Sequence, residues 1–279
     1  MVLQQLGKMA LWVLMNTPDE LVKTARWHRR LRDGARWAGG VLLDLVYPPV
    51  CLGCEAPTAS ANTLCPKCLT ALRPITAPLC PIMGLPFEVS LGPDALSAEA
   101  LADPPPFGRA RAAVLYNDMA RILISRLKYG DRPELARFCA QLMAGAGHEL
   151  WADHPILVPV PLHRGRQRER RYNQSAELAL ALGKLTGLKV ESGLVQRTRK
   201  TRQQVGLSGN GRQRNVAGAF AVHPDFLVRA RGRRIVLIDD VYTTGATAKA
   251  VTKALFKAGS DAVDVMSFAR VVIGAELPI

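Results

Sequence analysis

One stretch of the sequence, residues 234–258, constrains the fold of the whole chain. It opens with four consecutive apolar residues, Ile235 to Ile238, a run typical of an interior strand in a parallel sheet. Two carboxylates, Asp239 and Asp240, follow directly, and a small hydroxyl-rich turn leads into apolar residues at helical spacing that end at Gly259. The pattern predicts strand, acidic pair, loop and helix in that order, which indicates an α/β fold.

This order of elements favours a particular kind of ligand. Open parallel sheets bind ligands at the carboxyl ends of their strands. A loop that enters a helix offers unpaired N–H groups and the positive end of the helix dipole, and here Thr243, Thr244 and Thr247 add hydroxyls. The loop therefore suits a phosphate, whereas Asp239 and Asp240 would repel one and are expected to face hydroxyls or Mg²⁺. A sugar phosphate is implied, since the Walker and dinucleotide patterns are absent from the sequence.

Residues 236–248, VLIDDVYTTGATA, resemble the phosphoribosyl pyrophosphate (PRPP) motif of type I phosphoribosyltransferases. The resemblance implies a phosphoribosyltransferase-like parallel sheet flanked by helices, with Mg²⁺ as a cofactor of PRPP binding. It implies that Asp239 and Asp240 bind the ribose hydroxyls. The 5′-phosphate would lie on the loop of Thr243, Thr244, Gly245, Ala246 and Thr247. The alternative is an ordinary strand-to-helix turn whose Asp and Thr residues only cap the helix.

Four cysteines form two tight pairs near the start of the chain. Cys51, Cys54, Cys65 and Cys68 follow the pattern C-x₂-C, ten residues, C-x₂-C. Four thiolates in this spacing suit a tetrahedral structural Zn²⁺, with unmetallated thiols as the alternative. Two further cysteines, Cys80 and Cys139, are left over, and the apolar helical surroundings of Cys139 predict that it is buried.

The composition of the 279-residue chain indicates a basic protein with one main domain. Its formal net charge is +14 and its pI is near 10.0, which predicts attraction to nucleic acid or to an anionic membrane surface. The alternative is a basic surface with no specific partner. The longest early apolar run, Met9 to Met15, is too short to span a membrane and lacks a clear cleavage site after it, so we expect a cytoplasmic protein.

Three regions are predicted along the chain. Residues 1–40 form a basic N-terminal extension with helical character, which either contacts a membrane surface peripherally or packs on the main domain. Residues 41–108 form a zinc-binding module and a Pro-rich linker. Residues 109–279 form the phosphoribosyltransferase-like domain, in which predicted strands and helices alternate.

Two basic segments flank the expected site. The strand predicted at Ile156 to Val160 is followed by Arg164, Arg166, Arg168, Arg170, Arg171, Tyr172, Asn173 and Gln174. These residues are expected to contact pyrophosphate or a polynucleotide, with a solvated charged face as the alternative. A second segment, Arg197 to Asn215, has weak periodicity and contains Gln204 and Arg212. It is predicted to be a flexible loop that closes over the site, with a disordered basic excursion as the alternative.

Together, the segments at residues 42–54, 159–175 and 204–220 resemble the ComF family of competence proteins. The resemblance covers residues 42 to 270. Members of that family often carry a further pair of cysteine knuckles, whereas Cys80 is followed here by Met83 where a second cysteine is expected. This departure argues against a second metal cluster.

Two classes of function follow from these resemblances. In the first, a ComF-like protein binds PRPP and single-stranded DNA and has a role in DNA uptake and natural transformation, with a competence helicase and recombination proteins as implied partners. In the second, the chain is an active phosphoribosyltransferase that transfers a pentosyl group to an unknown acceptor. The excess of arginine favours the first class, because a salvage enzyme would not need it and no base-recognition segment is found.

Overall fold

The computed structural model describes residues 48–129, 133–162, 173–199, 216 and 218–272. These residues belong to two compact units. Of the first unit, residues 48–50 and 57–61 are described, and Val50 and Pro57 form a single antiparallel bridge there. The second unit contains residues 51–56 and the described residues from 62 onward. The helical extension predicted for residues 1–40 lies outside the described part of the chain.

A four-stranded parallel sheet forms the centre of the second unit. Its spatial order is β1-β6-β5-β2, with β1 (Ala110–Leu115), β2 (Ile156–Pro159), β5 (Ile235–Tyr242) and β6 (Val263–Arg270). Two short strands, β3 (Val195–Arg197) and β4 (Phe220–Val222), pair antiparallel in a separate ribbon. Strand β5 lies in the interior of the large sheet, and Ile235 to Ile238 are fully buried, as the apolar run predicts.

The described helices flank this sheet. They are α1 (Pro66–Ala71), α2 (Ala98–Ala102), α3 (Asp118–Tyr129), α4 (Pro133–Ala146), α5 (Gln174–Thr186), α6 (Pro224–Ala230) and α7 (Ala246–Lys257), with one 3₁₀ turn at His148–Leu150. Helix α7 ends as predicted, with Gly259 in the left-handed region at a φ of 96°. Among the described helices, none has the length and apolar content needed to cross a membrane.

Successive residues of the interior strands point to opposite faces, so the sheet separates two apolar cores. Val236 and Ile238 of β5 pack in one core with helices α3, α4 and α5. Ile235 and Leu237 pack in the other core with helix α7. Cys139 of helix α4 is fully buried in the first core, which confirms the prediction for this residue.

The N-terminal module covers the free edge of strand β1. The backbone N–H of Ile75 donates to the carbonyl of Ala113 at 3.0 Å, and that of Leu115 donates to Arg73 at 2.8 Å. The backbone N–H of Ala110 in turn donates to the carbonyl of Ile82 at 2.7 Å. These bonds satisfy an edge that would otherwise expose unpaired backbone groups. The predicted architecture, a parallel sheet flanked by helices with a small N-terminal four-cysteine module, is confirmed.

One predicted strand is shorter in the structure. The sequence predicts a strand from Ala217 to Val222, whereas β4 begins at Phe220. Gly218 has a φ of 64°, and the N–H of Ala219 donates to the carbonyl of Val216 at 3.1 Å. The left-handed backbone at Gly218 does not continue a strand, and Ala217 lies outside the described residues.

Candidate functional site

A cavity of about 220 Å³ lies at the carboxyl ends of β2 and β5, beside the first residues of α5 and α7. Its lining includes most of the residues predicted for PRPP: Asp239, Asp240, Thr243, Gly245, Ala246 and Thr247. Thr244 belongs to the same loop but is not part of the lining. The structure therefore brings the acidic pair and the hydroxyl-rich loop to one side of the sheet, where parallel sheets bind ligands.

The two carboxylates of the acidic pair have different surroundings. The Oδ1 atom of Asp239 accepts hydrogen bonds from the Ser175 hydroxyl at 3.0 Å and from the backbone N–H of Asp240 at 2.9 Å. The Oδ2 atom of Asp240 lies 2.9 Å from the ammonium nitrogen of Lys128. One carboxylate is thus held by neutral donors and the other by a cation.

The pKa of Asp239 reflects this difference. Burial and the neighbouring charge of Asp240 raise its pKa from 3.8 to about 7, and the backbone N–H of Asp240, the Ser175 hydroxyl and the Lys128 charge only partly offset these effects. The site can therefore exchange a proton near neutral pH. A carboxyl group in this range is a common feature of ligand-binding and catalytic sites.

The loop that opens helix α7 has the features of an anion site. Gly245 is the N-cap residue, has a φ of 69° and carries no side chain that could cap the first N–H groups of the helix. A Cβ atom at Gly245 would collide with the hydroxyl of Tyr242, so both conformation and space require glycine here. The Thr244 hydroxyl is buried without a hydrogen-bond partner among the described residues. The helix start therefore retains donors for an anionic ligand.

The start of helix α5 also lines the cavity. Asn173 caps this helix, since its side chain accepts from the N–H of Ser175 at 3.1 Å and donates to the carbonyl of Val160 at 3.0 Å. Gln174 lines the cavity with 2% of its surface exposed, and its Nε2 atom has no hydrogen-bond partner in the described structure. Asn173 therefore has a structural role, and the Gln174 amide is a donor available to a ligand.

Several predicted site residues lie outside the described residues. They are Arg164, Arg166, Arg168, Arg170, Arg171 and Tyr172 of the first basic segment and Gln204, Arg212 and Asn215 of the second. Described residues at the ends of these segments do line the cavity: Leu162 comes shortly before the first segment, Gln174 ends it, and Arg197 begins the second. The contacts expected of the two segments remain predictions.

Two residues of the site were not singled out from the sequence, Lys128 and Ser175. Ser175 directly follows the Asn173-Gln174 pair at the end of the first basic segment, and that proximity is the one available sequence signal. Lys128 precedes Asp240 by 112 positions and reaches it only because α3 packs on the sheet face next to β5. Nothing in the sequence near Lys128 indicates this contact.

The four paired cysteines form a metal centre. The Sγ atoms of Cys51, Cys54, Cys65 and Cys68 all lie within 4.8 Å of one another. Cys51 accepts hydrogen bonds at its sulfur from the N–H groups of Gly53 at 3.3 Å and Cys65 at 3.1 Å. Burial opposes ionisation of Cys51, but these donors and the N–H of Cys54 outweigh it and lower its pKa to about 6. Four close thiols, one of them readily ionised, fit tetrahedral Zn²⁺.

The metal centre is attached to the main sheet through helix α3. The guanidinium of Arg126 donates to the carbonyl of Leu52 at 3.2 Å and pairs with Glu55 at 3.0 Å. Cys51 and Cys68 are buried in the same apolar core as Met119 of helix α3. All four thiols are protein ligands, which leaves no open position for water or substrate, so the centre has a structural role.

Comparison with known proteins agrees with this arrangement. Residues 42–100 match a sequence family described as a double zinc ribbon domain. Over 232 residues the chain is 32% identical to the DNA utilization protein YhgH of Escherichia coli (strain K12), a match that covers 81% of this chain and 99% of that protein.

Two relatives with competence names also match. Competence protein F of Haemophilus influenzae (strain ATCC 51907 / DSM 11121 / KW20 / Rd) is 32% identical over 163 residues, 56% of this chain and 69% of that protein. Competence protein ComFC of Bacillus subtilis (strain 168) is 27% identical over 241 residues, 80% of this chain and 95% of that protein.

Among solved structures, a purine phosphoribosyltransferase from Pyrococcus horikoshii Ot3 aligns with 50% of this chain and 89% of its own chain. That alignment has 16% sequence identity and a TM-score of 0.29. The extent and identity of the sequence matches show that the chain belongs to the ComF family of competence proteins.

Proposed function

We propose that the chain binds PRPP with Mg²⁺ in the cavity at the end of β5 and single-stranded DNA through the adjoining arginine segment. One observation carries the PRPP half of this proposal. The acidic pair Asp239 and Asp240 and the start of helix α7, which has glycine at its N-cap, border the same cavity. Carboxylates that accept hydrogen bonds from hydroxyls and N–H groups that donate hydrogen bonds to phosphate therefore border one cavity. A phosphorylated sugar carries both hydroxyls and a phosphate.

The same residues suit Mg²⁺. Asp239 and Asp240 present carboxylate oxygens, which Mg²⁺ prefers in combination with the phosphate oxygens of a ligand. Bound there with PRPP, the ion would offset the negative charge of the pyrophosphate group. The Ser175 hydroxyl fixes one oxygen of Asp239, which leaves the other free to accept a ribose hydroxyl. The Gln174 amide adds a further donor to the cavity lining.

The DNA half of the proposal rests on charge and position. Five arginines fall within residues 164–171, a segment whose neighbours Leu162 and Gln174 both line the cavity. The chain carries a formal net charge of +14, far more than a small phosphorylated ligand requires. Such a basic segment would bind a polynucleotide backbone largely without regard to sequence.

The names of the relatives support the DNA half of the proposal. YhgH is named for DNA utilization, and the two other relatives are named as competence proteins. We therefore propose a role in DNA uptake and natural transformation, in the cytoplasm. A competence helicase and recombination proteins are the expected partners, and the basic N-terminal extension is the expected point of any peripheral membrane contact.

A second function, phosphoribosyl transfer, is favoured by one specific observation. The Asp239 carboxyl lines the cavity, and burial together with the Asp240 charge raises its pKa to about 7, so that it can hold a proton at the cavity wall. In such a reaction the acceptor would form a bond to ribose C1 as the bond from C1 to the pyrophosphate oxygen breaks, and the acceptor would lose a proton.

Pyrophosphate release separates the two functions. We expect the purified chain to bind PRPP in the presence of Mg²⁺ and to release no pyrophosphate above the rate of PRPP alone, with or without single-stranded DNA. Sustained release that DNA stimulates, and that Asp240→Asn abolishes, would favour the transferase instead. Failure to bind PRPP at all would contradict both.

A further inference from the structure

The cysteine module contains a second half that repeats the first. In the first half, the N–H of Cys51 donates to the carbonyl of Ala56 at 2.8 Å, and in the second half the N–H of Cys80 donates to Leu85 at 2.8 Å. The residues four positions after each cysteine, Glu55 and Gly84, donate back to that cysteine's carbonyl at 3.0 and 2.8 Å, and both have a φ of 63°. Residues 80–103 are called here the second ribbon half.

The surroundings of the two leading sulfurs also match. The Cys80 sulfur accepts hydrogen bonds from the N–H groups of Met83 and Ser97, each at 3.4 Å. In the first half, the corresponding donor to Cys51 across the knuckle is Cys65, and a short helix begins directly after Cys65 as it does after Ser97. The positions of Cys51, Cys54, Cys65 and Cys68 thus correspond to Cys80, Met83, Ser97 and Ala100.

Three of the four thiols are therefore absent from the second ribbon half. Cys80 and Met83 are fully buried and Ala100 is 3% exposed, in the apolar core that also contains helix α7. A single thiol cannot hold a structural zinc ion, so apolar packing takes over the task that a metal performs in the first half. This half has kept the fold of a ribbon without its ligand set.

Two charged residues of the second ribbon half bind the elements that carry the candidate site. Glu99 accepts from the guanidinium of Arg270 at 3.0 Å, and Arg270 also donates to the carbonyl of Met83. Asp103 pairs with the ammonium of Lys249 at 2.6 Å. Arg270 ends β6 and is 1% exposed, whereas Lys249 lies in the first turn of α7 and is 9% exposed.

The contact through Arg270 continues to the loop. Arg270 and Tyr242 are register partners in the parallel pair of β5 and β6, and the guanidinium carbon lies 4.4 Å from the centroid of the Tyr242 ring. The Tyr242 ring in turn fills the space beneath Gly245, where a Cβ atom would collide with it. A cation over an aromatic ring in a buried setting is a favourable contact that fixes both groups.

We propose that the second ribbon half is a metal-free brace that positions the loop at residues 243–247, and that Arg270 is the positioning residue through which it acts. The brace reaches the loop by two routes. The first runs through Glu99 and Arg270 to Tyr242, beneath Gly245. The second runs through Asp103 to Lys249, in the first turn of α7. Its effect on ligand affinity rests on the proposed binding of a sugar phosphate at this loop. Its effect on the order of the loop is independent of that ligand.

The chain offers a matched control for the test. Glu99 and Glu149 are equally exposed, with 39% of each side chain accessible, and each pairs with a buried arginine. Arg111, the partner of Glu149, also donates to a carbonyl of the second ribbon half, that of Pro81 at 3.0 Å. Glu99→Gln therefore weakens the pair with Arg270, which contacts Tyr242 beneath the loop. Glu149→Gln weakens the similar pair with Arg111, which is not part of that route to the loop.

Two readouts are needed, and the first requires no ligand. We expect Glu99→Gln to accelerate backbone hydrogen exchange at residues 243–248 several-fold, whereas Glu149→Gln leaves exchange there at the parent rate. Arg270→Met should produce a larger increase, and Tyr242→Phe, which keeps the ring beneath Gly245, should produce little. Equal exchange for Glu99→Gln and Glu149→Gln would overturn the brace, even if Arg270→Met does not fold.

The second readout compares two fragments of the proposed ligand by calorimetry. Glu99→Gln should weaken binding of ribose 5-phosphate by about three- to tenfold, up to ~1.4 kcal/mol, and leave binding of pyrophosphate with Mg²⁺ unchanged. Parallel losses for both fragments would indicate general destabilisation and would overturn a positioning role. If the parent protein binds no ribose 5-phosphate, the proposed function fails, and the exchange rates alone decide the brace. Two zinc ions per chain would contradict a metal-free second half.

Discussion

The ammonium nitrogen of Lys128 lies 2.9 Å from the Oδ2 atom of Asp240, and this ion pair joins helix α3 to the carboxyl end of β5. The Lys128 side chain is 27% exposed and the Asp240 side chain 17%, so the pair is partly shielded from solvent. Lys128 therefore contacts the carboxylate that we assign to a ribose hydroxyl or Mg²⁺. A ligand has to displace this contact or share it.

This ion pair predicts opposite pKa shifts for Asp239 in two variants. The Asp240 charge raises the pKa of Asp239 and the Lys128 charge lowers it. We expect Lys128→Met to move that pKa above its parent value of about 7 and Asp240→Asn to move it below. Carboxyl carbon NMR titration measures both shifts. The control is Lys253→Met, which replaces an exposed lysine of α7 and should leave the titration of Asp239 unchanged. Shifts of the Asp239 pKa in the same direction for both test variants would contradict this arrangement.

The raised pKa of Asp239 also predicts the pH dependence of stability. Between pH 3.8 and about 7 the folded protein retains a proton on Asp239 that the unfolded chain has lost. The contribution of Asp239 to the free energy of unfolding therefore falls as pH rises through this window, because the folded state binds more protons. Asp239→Asn should remove this contribution. The free energy of unfolding of the variant minus that of the parent should therefore be more positive at pH 8 than at pH 4. Urea unfolding at the two pH values measures the difference, and an equal difference at both would count against the shift.

The metal centre makes a separate prediction about stability. Cys68→Ser removes one of four thiolates, so we expect the purified variant to lose its zinc and several kcal/mol of stability, because the binding free energy of a structural zinc is folding free energy. Metal analysis and thermal unfolding measure the two losses. Cys139→Ala is the control, since this residue is buried outside the metal centre, and it should cost about 1 kcal/mol with full zinc content. Retention of one zinc ion per chain in Cys68→Ser would contradict the assignment of ligands.

The arginine segment predicts how DNA binding responds to salt. Replacing Arg166, Arg168 and Arg170 by Ala should flatten the log–log dependence of single-strand affinity on salt by about 0.7 for each lost phosphate contact, or about 2 in total. Fluorescence anisotropy at several salt concentrations gives the slope.

A control variant with the same loss of charge replaces the exposed residues Lys67, Arg121 and Lys257 by Ala. It should retain the parent slope. If the two triple variants give equal slopes, the arginines at residues 164–171 do not form the DNA site, and the N-terminal arginines become the next candidates.

The parts of the fold that are encoded within one segment could be predicted from the sequence. The run from Ile235 to Gly259 specifies strand, acidic pair, loop and helix through adjacent residues, and the structure contains all four in that order. The strand continues further than the apolar run indicates, because Asp239 and Tyr242 remain paired with β6. The cysteine spacing predicted the metal centre for the same reason, since its ligands are close in sequence.

Features that depend on packing between distant segments could not be predicted. Lys128 reaches Asp240 only through the packing of α3, and Arg270 reaches Tyr242 only through the register of β5 and β6. In the second ribbon half, the sequence indicated only the Cys80 and Met83 positions, through the family resemblance, because three of the four ligand positions do not carry cysteine. Its repeat remains in backbone hydrogen bonds and in the φ shared by Glu55 and Gly84, which the sequence does not display.

Binding of PRPP to the parent protein and to Asp240→Asn, measured by calorimetry with Mg²⁺, tests the central claim most directly. The substitution keeps the shape of the side chain and removes the charge that faces the ligand. It should weaken binding by about 1–3 kcal/mol if the lost hydrogen bond is charge-assisted. Asp225→Asn, with 83% of its side chain exposed, is the control and should bind as the parent does. Equal affinities for the parent and Asp240→Asn, or no binding to either, would contradict a PRPP site at the end of β5.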